Sequence, residues 1–175
     1  MFNLINLEEV RNYMLGEILS DISTGTLYIS SRLNTQGKIV YPEALKKATK
    51  DGNVESFTSD FGMKYFNTHE IREIDGKIIR VRVPQSANIT LCEDEFNRFY
   101  IRAVCLTAIE REESFVIIYR ARFSINPRPE SIKLENNLIE ANILLKDLRT
   151  NIGVDTVLGL PPGPNSGMSV KLFGG

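Results

Sequence analysis

LCEDEFNRFYIRAVCLTAIE at Leu91–Glu110 and SFVIIYRARFSI at Ser114–Ile125 hold the longest helical and the longest strand pattern of the chain. Thr90 with Glu93 reads as a capping box, because a hydroxyl can accept the N3 amide while the carboxylate reaches back to the cap. Glu93, Asp94 and Glu95 then fall in the expected first turn, where unpaired amides favour negative charge. Cys92, Phe96, Phe99, Tyr100, Ala103, Val104 and Leu106 form one apolar side at helical spacing. Asp94, Arg98 and Arg102 stand four apart on another side, able to ion-pair or to meet a protein neighbour. The spacing predicts a helix over 91–111. After it the period becomes two, predicting a strand over 115–125. Phe115, Ile117, Tyr119, Ala121, Phe123 and Ile125 are expected to face the core; Val116, Ile118, Arg120, Arg122 and Ser124 share the reverse, which turns from apolar to basic.

Working outward, EIREI, DG and KIIRVRV at 70–83 read as a hairpin, since Asp75–Gly76 is a turn pair suited to the type I′ connection. The two-residue turn sets Ile74 opposite Lys77 and Arg72 opposite Ile79. Ile74, Ile79, Val81 and Val83 make the mainly apolar face, and Arg80 and Arg82 lie on the reverse with Glu73. If this hairpin lay beside the 115–125 strand, Arg80, Arg82, Arg120 and Arg122 would form a cationic strip able to meet nucleic acid or an acidic partner. Lys46 and Lys47, on an expected helix over Pro42–Lys50, are more remote candidates for the same role.

Asn6 with Glu9 offers a cap for a helix carrying Leu7, Val10, Met14 and Ile18 on one stripe. That stripe can pack inside the domain or against another subunit. Thr26–Ser30 and Gly37–Tyr41 are expected as short strands, and Val54–Phe66 as an irregular strand or loop with its aromatics inward. The prolines of NPRP at Asn126–Pro129 should end the preceding strand. Asn137 with Glu140 then predicts a helix over 137–150 with Leu138, Ala141, Leu145 and Leu148 on its apolar side.

LPPGPNSG at Leu160–Gly167 reads as an extended connector, after which Met168, Val170 and Leu172 alternate with Ser169, Lys171 and Phe173 as a terminal strand. The strand can return to its own sheet or add to a neighbour's open edge. Leu160, Pro161, Pro162, Met168, Val170, Leu172 and Phe173, with Arg98 and Arg102, are therefore the protein-interface candidates. The fold class expected is α+β, with amphipathic helices against a mixed or antiparallel sheet. Residues 1–159 make a compact domain, and 160–175 are an assembly segment of that domain or docked on a neighbour.

The 175 residues suit one domain, and 21 basic against 22 acidic side chains leave a net charge of -1, which gives nucleic acid no overall attraction. Cys92 and Cys105 sit too far apart along one helix to bond, and no apolar run is long enough for a transmembrane helix. With no charged-then-apolar leader at Met1, the expectation is a reducing, cytoplasmic compartment. The sole histidine, His69, has no cysteine companion, and LPPGPNSG lacks the residue order of a P-loop. Cys105 lacks a visible base, and Asp21 and Asp60 lack a visible catalytic partner, so no catalytic residue, metal or cofactor is assigned.

Through EFNRFYIRAVCLTAI and LGLPPGPNSGMSVKL the chain resembles small connector and ring proteins of tailed bacteriophages, in particular those of crAss-like phages. The resemblance implies a non-enzymatic particle protein repeated around a portal or tail axis at the head-to-tail junction of the virion. Its partners would be copies of itself and neighbouring assembly proteins, with DNA contact secondary. The alternatives from other classes are a nucleic-acid-binding module using the basic strand faces and a small enzyme whose site is assembled only in space.

Overall fold

The computed structural model describes residues 2–153 and 167–173. Its fold is α+β: helices α1 (Leu7–Thr24), α2 (Thr35–Asp51), α3 (Val54–Asp60), α4 (Ala87–Glu110), α5 (Pro129–Leu134) and α6 (Ala141–Thr150), and strands β1 (His69–Ile74), β2 (Lys77–Arg82), β3 (Phe115–Arg120), β4 (Leu138–Glu140) and β5 (Met168–Lys171). The strands form two separate antiparallel sheets, β1-β2 and β4-β3-β5, rather than one mixed sheet.

The α4 helix is the axis of the core. It packs against α1, α3, α6 and β5, and Phe96, Tyr100, Ala103, Val104 and Cys105 are wholly buried. The helix begins four residues before the expected start, following Ser86, and no side chain caps it. Thr90 is therefore interior, and Glu93–Glu95 lie beyond the first turn. Glu95, Arg98 and Arg102 are buried as well, so the helix has no broad solvent face.

α1 forms as its apolar stripe predicts, with Val10, Met14 and Ile18 fully buried. Its expected cap does not form, because the Asn6 Oδ1 instead accepts from the Leu172 amide at 3.2 Å, while Asn6 Nδ2 donates to Glu9. The N-terminal segment is tied across the domain in the same way: the Tyr119 hydroxyl donates to the Asn3 carbonyl at 2.7 Å, and the Asn6 amide donates to the Tyr100 hydroxyl.

Thr26–Ser30 is not a strand. Gly37–Tyr41 is not one either, but part of a continuous α2 with Pro42 inside it; Asn34 caps that helix by accepting from the Gly37 amide at 2.8 Å. A proline interrupts one helical hydrogen bond but does not end a helix that tertiary packing holds on both sides, as buried Tyr41 and Leu45 do here. Gly37 is required by proximity, since a Cβ there would meet the Tyr65 carbonyl oxygen at 2.1 Å. The stretch after Asn53 is helical, started by a reciprocal Asn53–Ser56 capping box. Its aromatics do turn inward: Phe57, Phe61 and Phe66 are buried with Tyr41 in an aromatic cluster.

β3 is shorter than expected, ending at Arg120, and within it the expected faces are reversed, since Val116 and Ile118 are in the core and Phe115 is 43% exposed; beyond it Ala121 is buried as expected, but Phe123 and Ile125 are almost fully exposed. Both faces open with two apolar residues, so alternation cannot choose between them; the side that meets α4 does. The expected 137–150 helix divides into β4 and α6, because residues 138–140 pair with Ile117, Val116 and Phe115. Leu138 is consequently half-exposed rather than core.

Candidate interaction surfaces

Most of the side chains singled out by the sequence as contact candidates are engaged within the fold. Arg98 Nη1 donates to the Leu148 and Asn151 carbonyls at 3.0 and 3.1 Å, closing the C-terminal end of α6, where free carbonyls attract a cation. Arg102, 3% exposed, donates through Nε to Glu17 at 2.6 Å and through Nη1 and Nη2 to Asp21 at 2.6 and 2.9 Å. Arg149 completes the group from α6 by pairing with Glu17. Burial opposes ionisation of Glu17, but the Arg149 and Arg102 guanidiniums outweigh it and hold the carboxyl below its ordinary value. The network joins α1, α4 and α6 and corrects the expectation that Arg98 and Arg102 face a neighbour.

Met168, Val170 and Leu172 are equally occupied. β5 pairs with β3 of its own chain, from Met168↔Arg120 to Lys171↔Ile117, and all three side chains are buried. The Met168 carbonyl also accepts from Asn97 of α4 at 2.8 Å. Of this terminal group only Phe173 is substantially exposed. Leu160, Pro161 and Pro162 lie outside the described residues.

The four arginines do not form a strip. Arg80 and Arg82 stand exposed on the β1-β2 hairpin, Arg80 beside the His69 Nδ1 at 3.4 Å, in a sheet separate from that of Arg120, with Arg122 just beyond the end of β3. Lys46 pairs with Glu43 and Lys47 with Asp60, at 2.6 and 2.7 Å. Arg122 pairs with Glu93 at 2.5 Å, and burial raises the Glu93 carboxyl against that pull. Arg120 is held by Glu135: its Nε donates to Oε1 at 2.7 Å, and its Nη2 is 2.6 Å from the same oxygen without forming an aligned hydrogen bond.

Two features remain turned outward. The first is the hairpin, with the predicted register and positive φ at both Asp75 and Gly76, as a type I′ turn requires. Its base is anchored by buried Val83 and by Arg32, whose guanidinium bonds Glu70 at 2.8 and 3.2 Å. Beyond that base both faces are bare: Ile71 and Ile78 are 68% and 77% exposed on the Arg80 face, and Ile74 and Ile79 are partly exposed on the other. The second is a cavity of about 180 Å³ at the end of β3, where Arg120, Arg122 and Arg128 meet Ser124, Asn126 and Ser131. Sequence reasoning missed the contribution of Ile71, Ile78 and Arg128. An isoleucine on each hairpin face was the available signal for the first two, while Arg128 was hidden within a motif read only as a strand breaker.

Among the described residues no group of three or more His, Cys, Asp or Glu gathers as a metal site, and no helix is long and apolar enough to cross a membrane. Burial pushes both the Cys92 and Cys105 thiols up to about 12, which leaves little thiolate for nucleophilic chemistry. Comparison with known proteins finds no family model, no curated protein and no solved structure that matches the chain.

Proposed function

We propose that this protein is a non-enzymatic structural or adaptor component of a larger protein assembly, and that the β1-β2 hairpin is the arm that engages its neighbours. The observation that carries the reading is the exposure of isoleucine on both faces of a two-stranded sheet whose outer edges have no strand partner among the described residues. Isolated two-stranded hairpins are marginal in water, and open apolar edges favour association. A hairpin held at its base and bare beyond it gains most when a neighbour covers it.

The sequence resemblance to tailed-phage connector proteins supports a ring component at the head-to-tail junction, with copies of itself and adjacent particle proteins as partners. The assembly route differs from a tail anchor, because the Met168–Lys171 strand is already part of its own sheet. Acid pairing of Arg120 and Arg122, and the placement of Arg80 and Arg82 in another sheet, weigh against a continuous nucleic-acid face.

Sedimentation over a concentration series tests this reading. A concentration-dependent oligomer, or a monomer that joins purified particle proteins through the hairpin, is the expected result. A monomer at every concentration that joins neither itself nor particle proteins contradicts it.

A further inference from the structure

The cavity at the end of β3 is independent of the hairpin and of the assembly reading. Three guanidinium-bearing side chains line it from three chain positions, with the polar residues Ser124, Asn126 and Ser131, and no carboxylate side chain lines it among the described residues. Two of these arginines are matched by acids, Arg120 by Glu135 and Arg122 by Glu93, as Arg11 is by Glu8, Arg32 by Glu70 and Arg102 by Glu17 and Asp21 elsewhere. Arg128 differs, being exposed with no side-chain partner among the described residues. Arg120 is 13% exposed in its side chain and is held by Glu135, whose Oε1 lies 2.7 Å from its Nε and 2.6 Å from its Nη2. Among the described residues the site therefore sets three guanidiniums against two carboxylates, with Arg128 left over.

We propose that this cavity binds a small tetrahedral oxyanion of the phosphate class, with Arg128 as the principal cation and the Ser124, Asn126 and Ser131 side chains as its polar partners. Guanidinium groups present planar pairs of N–H donors that match phosphate oxygens, and hydroxyl and amide groups complete such a shell. The volume of about 180 Å³ has room for one such anion with a little water, but is smaller than the roughly 300–1,000 Å³ of ordinary small-molecule pockets. A whole nucleotide is therefore not the ligand. The phosphate can be free or carried at the end of a larger molecule such as a DNA strand.

Titration of the full chain with inorganic phosphate, at constant ionic strength against chloride, tests the site by calorimetry and by amide chemical shifts. The expected result is saturable binding that shifts Ser124, Asn126 and Ser131, is weakened about tenfold or more by Arg128→Ala and is abolished by Arg128→Glu. Arg128 is exposed and its side chain makes no pair among the described residues, so both variants should fold; Arg80→Ala on the hairpin should bind as the native chain does. Short duplexes with and without 5′-phosphates separate the sources. Competition by the phosphorylated duplex alone assigns a terminal phosphate, and absence of competition by either assigns the free anion. No saturable binding, unchanged binding in Arg128→Glu, or shifts confined to other regions overturns the proposal.

Discussion

The α4 helix and the β1-β2 hairpin are both rich in apolar and arginine residues, yet they use them in opposite ways. In α4, Arg102 is buried against Glu17 and Asp21, and the aromatic residues beside it are sealed by α1, α3 and α6. In the hairpin, Arg80 and Arg82 are open to solvent and Ile71 and Ile78 have nothing over them in the described chain. One element is completed by its own fold, whereas the other presents unsatisfied apolar surface. Residue type alone does not separate them. The difference comes from how many other elements reach each one.

The largest effect that would sharpen this contrast is expected at Arg102. Arg102→Ala leaves the Glu17 and Asp21 carboxylates facing a buried gap, and loss of one member of a buried charge group should destabilise by about 3–5 kcal/mol. Urea unfolding measures this directly, and a loss below about 1 kcal/mol would mean that α4 is less sealed than its burial implies.

Glu95 gives a pH-dependent form of the same test. It is 3% exposed, its Oε2 has no hydrogen-bond partner, and burial pushes its carboxyl up to about 7 against the attraction of Arg98, which lies 3.5 Å away. Asp94 and Asp21 add repulsion, and Arg102 adds attraction. The raised folded pKa means that the native state holds this proton more tightly than the unfolded chain. Its stabilising contribution is therefore complete below about 4.5 and is lost as pH rises through about 7. Glu95→Gln should gain on the native chain by on the order of 2–3 kcal/mol between pH 4.5 and 8, read as the difference between their urea-unfolding free energies. A difference that stays flat with pH would contradict the burial of an ionisable Glu95. Subtracting the native profile removes the opposite contribution of Glu17, whose depressed pKa stabilises at higher pH.

At the hairpin the expected effect on monomer stability is the smallest. Ile78→Ala should change urea unfolding of the monomer by no more than about 0.5 kcal/mol, because a 77% exposed side chain leaves no cavity. A loss of 2 kcal/mol would show that Ile78 is covered within the chain and would remove the contrast.

The sequence made some of this contrast legible. The Asp75–Gly76 turn set the hairpin and its register, and the spacing from Cys92 to Val104 marked the buried side of α4. Its arginines were misplaced because helical spacing cannot show that α1 and α6 bring Glu17, Asp21 and two carbonyls to the other side. The faces of β3 were reversed because Phe115–Ile118 is apolar on both. Pro42 read as a helix start and Leu138 as a helix member for a related reason: a local breaker or period is a preference, and α2 packing and β3 pairing decide otherwise. The terminal strand could be recognised, but its return to β3 was one of two pairings left open by the pattern. The arginine cavity needed the fold, since its lining spans β3 and the start of α5.

The most direct test of the central claim is native mass of the full chain beside an Ile71→Asp, Ile78→Asp double variant, both in isolation and with purified proteins of the proposed particle. The account predicts oligomers or partner complexes for the native chain and monomers for the variant, with circular dichroism showing the same fold in both. Equal assembly by the two proteins, with both correctly folded, would contradict the assignment of the hairpin as the assembly arm.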